Sequence, residues 1–299
     1  MNWTAILILI SWLMTVESFD NAVTWSNRLG LTLTPITTGV WAAERPFIWN
    51  NIDVGGRSVI ARMKDGSLFV HSPVEWDEDL GDAIDQLGGD IKHIVSPNYE
   101  HLKYAQQWND IYPNAYMWAC PGLIDKMPTV KWTDEISKNV PIEFDDSIDV
   151  CWFDCESFIN KPFFNEIVFH HKSSSSFICS DSWWNYPQSS LPNYHQENMN
   201  INLHQCSKVS IDYNTIKELP PVDVPFGTTA WKFGMDKIYA PFYNNIMVGG
   251  DNSENRLKYN DAVNQILNWN CETLIPCHGD IVRGKNLSEK VLSSHFFGV

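Results

Sequence analysis

Three short apolar runs in this chain stop on side chains that can ligate a metal, and that pattern constrains the fold more than any other. Ile91 to Ser96 (IKHIVS) is broken by Pro97 and followed by Asn98-Tyr99-Glu100-His101. Phe177 to Asp181 (FICSD) ends on a carboxylate, and Thr273 to Asp280 (TLIPCHGD) runs into His278 and a glycine turn. Each run has the length and the flanking turn residues of a buried strand. Helices are predicted beside them. Trp76 to Leu87 places Leu80, Ile84 and Leu87 on one face and stops at Gly88-Gly89, while Glu254 to Trp269 carries a stripe of Ala262, Val263, Ile266, Leu267 and Trp269. Strand, polar turn and helix in succession is how an α/β chain presents chemistry at the carboxyl ends of its strands. Because these residues lie far apart in sequence, only a fold that gathers strand ends makes one site of them.

The rest of the chain fits that class. Ser58 to His71 reads as two β-runs around the turn dipeptide Asp65-Gly66. Asn98 to His101 opens a helix with Leu102, Ala105 and Trp108 on its apolar side. Further β-runs are predicted at Ile142 to Phe153 and Glu166 to His170. In such a run His170 and His171 point to opposite faces, so one of them is expected in solvent. Residues 182–250 are rich in Asn, Pro, Ser and aromatics without clean periodicity; they read as a long insertion covering one end of the sheet. Trp183 and Trp184 either wall a pocket or pack beneath it.

The N-terminus stands apart. Ala5 to Met14 is continuously apolar, but a bilayer span needs about 20 such residues. The run matches a secretory signal in length, with small residues near Ser18 and Ala22 for cleavage, although Met1 to Thr4 carries no basic side chain. Cleaved, the protein enters the secretory pathway or is secreted, with no stable membrane span in the mature form; uncleaved, it is membrane-associated or intracellular. Sequons at Asn2 and Asn286 do not decide between these. The chain therefore divides into a hydrophobic segment, residues 1–20, and a single domain over residues 30–299 that holds the insertion. The 299 residues carry 21 Lys and Arg against 36 Asp and Glu, a formal charge of −15, which disfavours nucleic acid and anionic membranes and leaves a small molecule as the expected partner. The sequence pattern fixes no oligomeric state. Seven cysteines are an odd number; Cys151 and Cys155 would stand about 13 Å apart on an extended strand, too far for a bridge, and most of the seven are expected to be buried thiols.

The order of motifs resembles the metallo-β-lactamase fold superfamily, and more narrowly a degenerate branch of it known only as a domain of unknown function. The superfamily's His-x-His-x-Asp-His turn falls on Ser96-Pro97-Asn98-Tyr99-Glu100-His101, its strand-end Asp on Asp181, and its late His turn on Pro276-Cys277-His278-Gly279-Asp280. DGSLFVHSPV, HIVSPNYEH, NEIVF and ICSD carry the narrower likeness. The resemblance implies a four-layered αββα sandwich over about residues 40–285 and hydrolysis by water on a metal. It also implies a difference: Ser96, Asn98 and Asn165 occupy the ligand places of one superfamily metal site, which is thereby lost, whereas Glu100, His101, Asp181 and His278 occupy those of the other. One zinc, iron or manganese ion would suit such donors, with Asn98 and His71 beside it. The expected activity is hydrolysis of a small ester, amide or phosphoester. The alternative is a catalytically inactive relative that binds a ligand or serves a structural role. A serine-nucleophile hydrolase is disfavoured, since no Gly-x-Ser-x-Gly elbow occurs.

Overall fold

The computed structural model describes residues 23–155, 165–187, 221–249 and 253–297. The N-terminal hydrophobic segment, Asn2, Cys206 and residues 188–220 of the insertion lie outside the described residues.

Two sheets form the centre. The first has strands β1 (Thr34–Thr37), β2 (Val40–Arg45), β5 (Gly56–Arg62), β6 (Leu68–His71), β7 (Ile91–Ser96), β8 (Tyr116–Ala119) and β9 (Asp134–Glu135) in that spatial order. The hairpin turn at Asp65-Gly66 joins β5 to β6 as the dipeptide predicts, and from β6 onward the pairing is parallel. The second sheet is β10 (Ile148–Trp152), β11 (Ile167–His171), β12 (Ser176–Cys179), β13 (Thr273–Pro276) and β14 (Val282–Arg283). A separate small hairpin pairs β3 (Ile48–Trp49) with β4 (Ile52–Asp53).

The layers follow from which faces are apolar. Val40, Ala42, Val59, Ala61 and Phe69 of the first sheet meet Val150, Ile167, Phe169, Ile178 and Ile275 of the second. Alternate residues on the first sheet, Trp41, Ile60, Leu68 and Ile94, pack under α1 (Glu78–Leu87) and α2 (Ala105–Ile111). On the outside of the second sheet, Val168, Phe177 and Leu274 are covered by Tyr259, Val263 and Ile266 of α5 (Glu254–Asn268) and by Phe296 of α6 (Ser293–Phe297). Period-2 burial on both sheets and period-3.6 burial on the helices thus produce the αββα sandwich. Removing one of the central rings, such as Phe169, would cost about 3–5 kcal/mol.

Several local expectations are corrected. Ile142–Phe144 is a helical turn, and the strand begins only at Ile148. Helix α2 starts at Ala105, not near Asn98, because the Asn98 side chain holds the intervening backbone as a turn. The pair is more buried than expected: His171 is fully buried, and His170 is partly buried, stacked on Trp269 with its Nδ1 3.2 Å from Asp149. The insertion holds a clear helix, α4 (Phe226–Gly234), which continues in wider helical turns to Met247; the short α3 (Leu123–Lys126) precedes it in the chain. Aromatic residues on both the cavity side (Trp231) and the solvent side (Phe226, Phe233) of α4 hide its period in the sequence. All six described cysteines are buried.

Candidate metal centre

Strand register places the site. β12 and β13 are parallel neighbours with Cys179 opposite Pro276, so Asp181 and His278 leave the sheet side by side, each two residues further on. His101 reaches the same place from the other sheet, beyond β7. One ligand atom from each of His101, Asp181 and His278 lies within 4.8 Å of the others. His101 Nε2 is 3.2 Å from Asp181 Oδ2, His278 Nε2 is 3.4 Å from Asp181 Oδ1, and the two imidazole Nε2 atoms are 3.3 Å apart.

Each of the three side chains is held from behind. His278 Nδ1 lies 2.8 Å from the Gly55 carbonyl and 3.1 Å from that of Val54. A carbonyl only accepts, so Nδ1 carries the proton and a neutral ring turns its Nε2 lone pair toward Asp181 and His101. His101 Nδ1 sits 2.5 Å from Ser72 Oγ. Asn98, fully buried, donates from Nδ2 to Asp181 Oδ2 at 2.6 Å, while its Oδ1 accepts from the backbone N–H groups of Glu100 and His101 at 3.0 and 2.9 Å. Burial works against the charge on His101, yet the Asp181 carboxylate and Cys277 together outweigh it and hold the imidazole well above its usual range. Burial likewise pushes Asp181 up, but His101 and His278 pull its carboxyl far below the usual range. Two imidazoles and a carboxylate packed this closely call for a cation, either a proton or a metal, and two Nε2 atoms facing one point suit a metal.

Glu100 is outside this cluster. Its side chain lines the adjoining cavity, where partial loss of water around the carboxyl, followed by the nearby Asp181 charge, raises its pKa. His71 is fully buried and reaches the site only through Cys277, whose Sγ lies 3.9 Å from His71 Nδ1. At the vacated superfamily site, Ser96, Asn98 and Asn165 offer no ligand set. Asn165 donates to the Pro121 carbonyl and to Tyr99 Oη and accepts from Trp152 Nε1, whereas Ser96 Oγ is buried with no hydrogen-bond partner among the described residues.

Sequence reasoning missed two supports. The fully buried Glu166 accepts from the backbone N–H groups of Ser180, Asp181 and Ser182 at 2.6, 2.8 and 2.7 Å and so shapes the loop that carries Asp181. Buried Arg57, paired with Glu44 at 2.6 Å, donates to the Pro276 carbonyl just before His278. The available signal was a charged residue opening or sitting within an apolar run, which is rare unless the charge is paired. Gly279 is required where it stands: at φ +94 a Cβ would come within 2.2 Å of the Asn185 backbone, which bridges to Gly279 as a short extension of the sheet.

The cluster lies at the wall of a cavity of about 290 Å³. Phe47, Trp49, Trp184, Tyr186, Trp231 and Tyr239 supply most of its apolar lining, with Glu100 and Lys103 among the charged groups. Trp184, Tyr186, Trp231 and Tyr239 come from the insertion, so its described part walls the site as well as capping the sheet. A mostly aromatic pocket with a few converging polar groups is the usual form of a small-molecule site.

Comparison with known proteins agrees with this architecture. A diflavin flavoprotein A 5 fragment from Nostoc sp. PCC 7120 superposes with a TM-score of 0.54 at 9% identity, covering 89% of this chain and 93% of that one. A metallo-beta-lactamase from Pontibacter korlensis gives 0.51 at 9% identity over 89% and 99%. The DIM-1 metallo-beta-lactamase gives 0.50 at 12% identity over 89% and 96%. Among curated proteins nothing matches the sequence. Residues 38–218 match the family described as Domain of unknown function (DUF4336), and the chain belongs to that family and has the metallo-β-lactamase fold.

Proposed function

We propose that His101, Asp181 and His278 hold one zinc, iron or manganese ion, and that the protein hydrolyses a small ester, amide or phosphoester. The observation that carries this reading is the convergence of three ligand atoms within 4.8 Å, with the His278 proton fixed on the far nitrogen, beside an aromatic cavity. A metal bound by this donor set polarises a carbonyl or phosphoryl oxygen and acidifies water. The chain's own residues do the rest. Ser72 and Gly55 fix the two rings, Asn98 aims Asp181, and the aromatic walls hold the apolar part of a substrate and exclude water. Glu100, with its carboxyl raised at the cavity wall, is the group placed to take up or give a proton to a bound molecule.

Elemental analysis of the purified full chain tests the centre. The expected result is about one equivalent of a transition metal, lost in His101→Ala and His278→Ala. Under about a tenth of an equivalent, unchanged after adding zinc or iron, would instead favour an inactive relative that binds ligands without a metal.

A further inference from the structure

The helical stretch that walls the cavity has a second face. On its inner side Trp231, Met235 and Tyr239 line the cavity. On its outer side Phe226 is 87% exposed, Phe233 63%, Ile238 67% and Ile246 58%. The intervals from Phe233 to Ile238, Phe242 and Ile246 exceed an α-helical turn. The backbone there is wound in wider turns at Met235–Tyr239 and Tyr243–Met247, so these residues return to one side. Among the described residues of this stretch, the exposed charged side chain is Lys237; Lys232 is paired with Asp236. Single apolar residues scattered on a surface are ordinary, but Phe226, Phe233, Ile238, Phe242 and Ile246 exposed along one helical stretch mark an interaction face.

What the face meets is indicated by the chain that adjoins it. The described residues begin at Val23, itself exposed, and Trp25 belongs to the same cluster as Val54, Trp184 and Tyr186, against which Trp231, Met235, Tyr239 and Ala240 of this stretch pack. The apolar run Ala5 to Met14 is therefore tethered to the same cluster, with Met14 within about 30 Å of Val23 and Ala5 within about 60 Å even at full extension. With a formal charge of −15, the chain is repelled by anionic surfaces. We propose that the outer face of residues 226–247 docks onto a zwitterionic lipid surface, lying in the interface. No helix among the described residues is long and apolar enough to cross one. The N-terminal run, where retained, supplies the second apolar contact that stable anchoring needs. The docked helix would bring one wall of the cavity to the lipid, so the molecule taken up is an amphiphile; this last step alone rests on the proposed hydrolase reading.

Flotation of the full chain with phosphatidylcholine vesicles tests the docking, against vesicles enriched in phosphatidylserine and against the double variant Phe233→Asp/Ile238→Asp. Expected are co-flotation with phosphatidylcholine, weaker binding to the anionic vesicles, and at least about a tenfold loss in the variant. Both substituted side chains point to solvent, so thermal unfolding and metal content should stay at the wild-type level; Phe226→Ser/Phe233→Ser is the second variant, with the same expectation at smaller amplitude. A wild-type chain that stays at the bottom of the gradient would overturn the proposal, as would variants that float equally well. So would a dimer in lipid-free solution that the variants dissociate, which would assign the face to a second copy. Failure of flotation with metal still bound separates this inference from the metal centre.

Discussion

Asn98→Ala isolates how much of the proposed centre depends on a residue outside the His101, Asp181 and His278 cluster. The substitution removes three hydrogen bonds from a fully buried position: one to Asp181 Oδ2 at 2.6 Å and two from the N–H groups of Glu100 and His101. Losing the side-chain cap on the turn costs about 1 kcal/mol, and losing a donor to a buried carboxylate costs about 1.5–3 kcal/mol. Together they predict a stability loss of about 2.5–4 kcal/mol. Metal affinity should fall further than stability suggests, because His101 and Asp181 both lose orientation; groups in this supporting position are worth about 10–100-fold, or about 1.4–2.7 kcal/mol. Urea unfolding reads the first number, and zinc titration against a competing chelator reads the second. An Asn98→Ala protein that binds zinc within about twofold of wild type would refute the claim that Asn98 organises the site.

Glu100→Gln should leave metal content unchanged by elemental analysis, since Glu100 is not in the cluster; loss of the metal would restore it to the ligand set. His93 predicts acid sensitivity. It is fully buried, accepts from Trp118 Nε1 at 3.1 Å, and has its pKa pushed down to about 4 by burial and by Lys92. An unfolded histidine titrates near 6.5, so below that value the unfolded chain binds the extra proton: stability is full above pH 6.5 and is lost as the pH falls toward 4. Urea unfolding should show about 2 kcal/mol of this loss by pH 5, and a His93→Phe variant should lack that component. An identical pH profile in the variant would dismiss the assignment.

Much of the site was legible because strand ends are legible. A short apolar run closed by a polar turn identifies the strand, and in a parallel pair the residues just past the ends must be neighbours; Asp181 and His278 follow from that alone once Cys179 is known to face Pro276. His101 is harder, because it comes from the other sheet, and its meeting with the pair depends on how two sheets pack. Glu100 was misplaced for a local reason. The Asn98 side chain takes the N–H groups of both Glu100 and His101, and the resulting turn sends one side chain to the cluster and the other to the cavity wall. Helix α4 escaped because its apolar residues face both the cavity and solvent, which erases the one-sided period on which a helix assignment depends.

Asn98 also bears on whether a second metal could be added at the positions that the resemblance assigns to another site. Histidine at position 98 would match the superfamily pattern more closely than asparagine does, and a motif-based argument would expect Asn98→His to add a metal. Here Asn98 supplies an acceptor to the backbone of residues 100 and 101 and, at the same time, a donor to Asp181, from atoms of one amide. An imidazole cannot place a ring nitrogen at both points without moving the turn. The other positions are also closed to a metal: Asn165 is engaged by Trp152, Tyr99 and the Pro121 carbonyl, and Ser96 offers only a hydroxyl. Asn98→His is therefore expected to hold no more than about one metal equivalent, with weaker affinity than wild type. Two equivalents by elemental analysis would show that the lost site is only one substitution away, and that Asn98 is a replaced ligand and not a support for the ligands that remain.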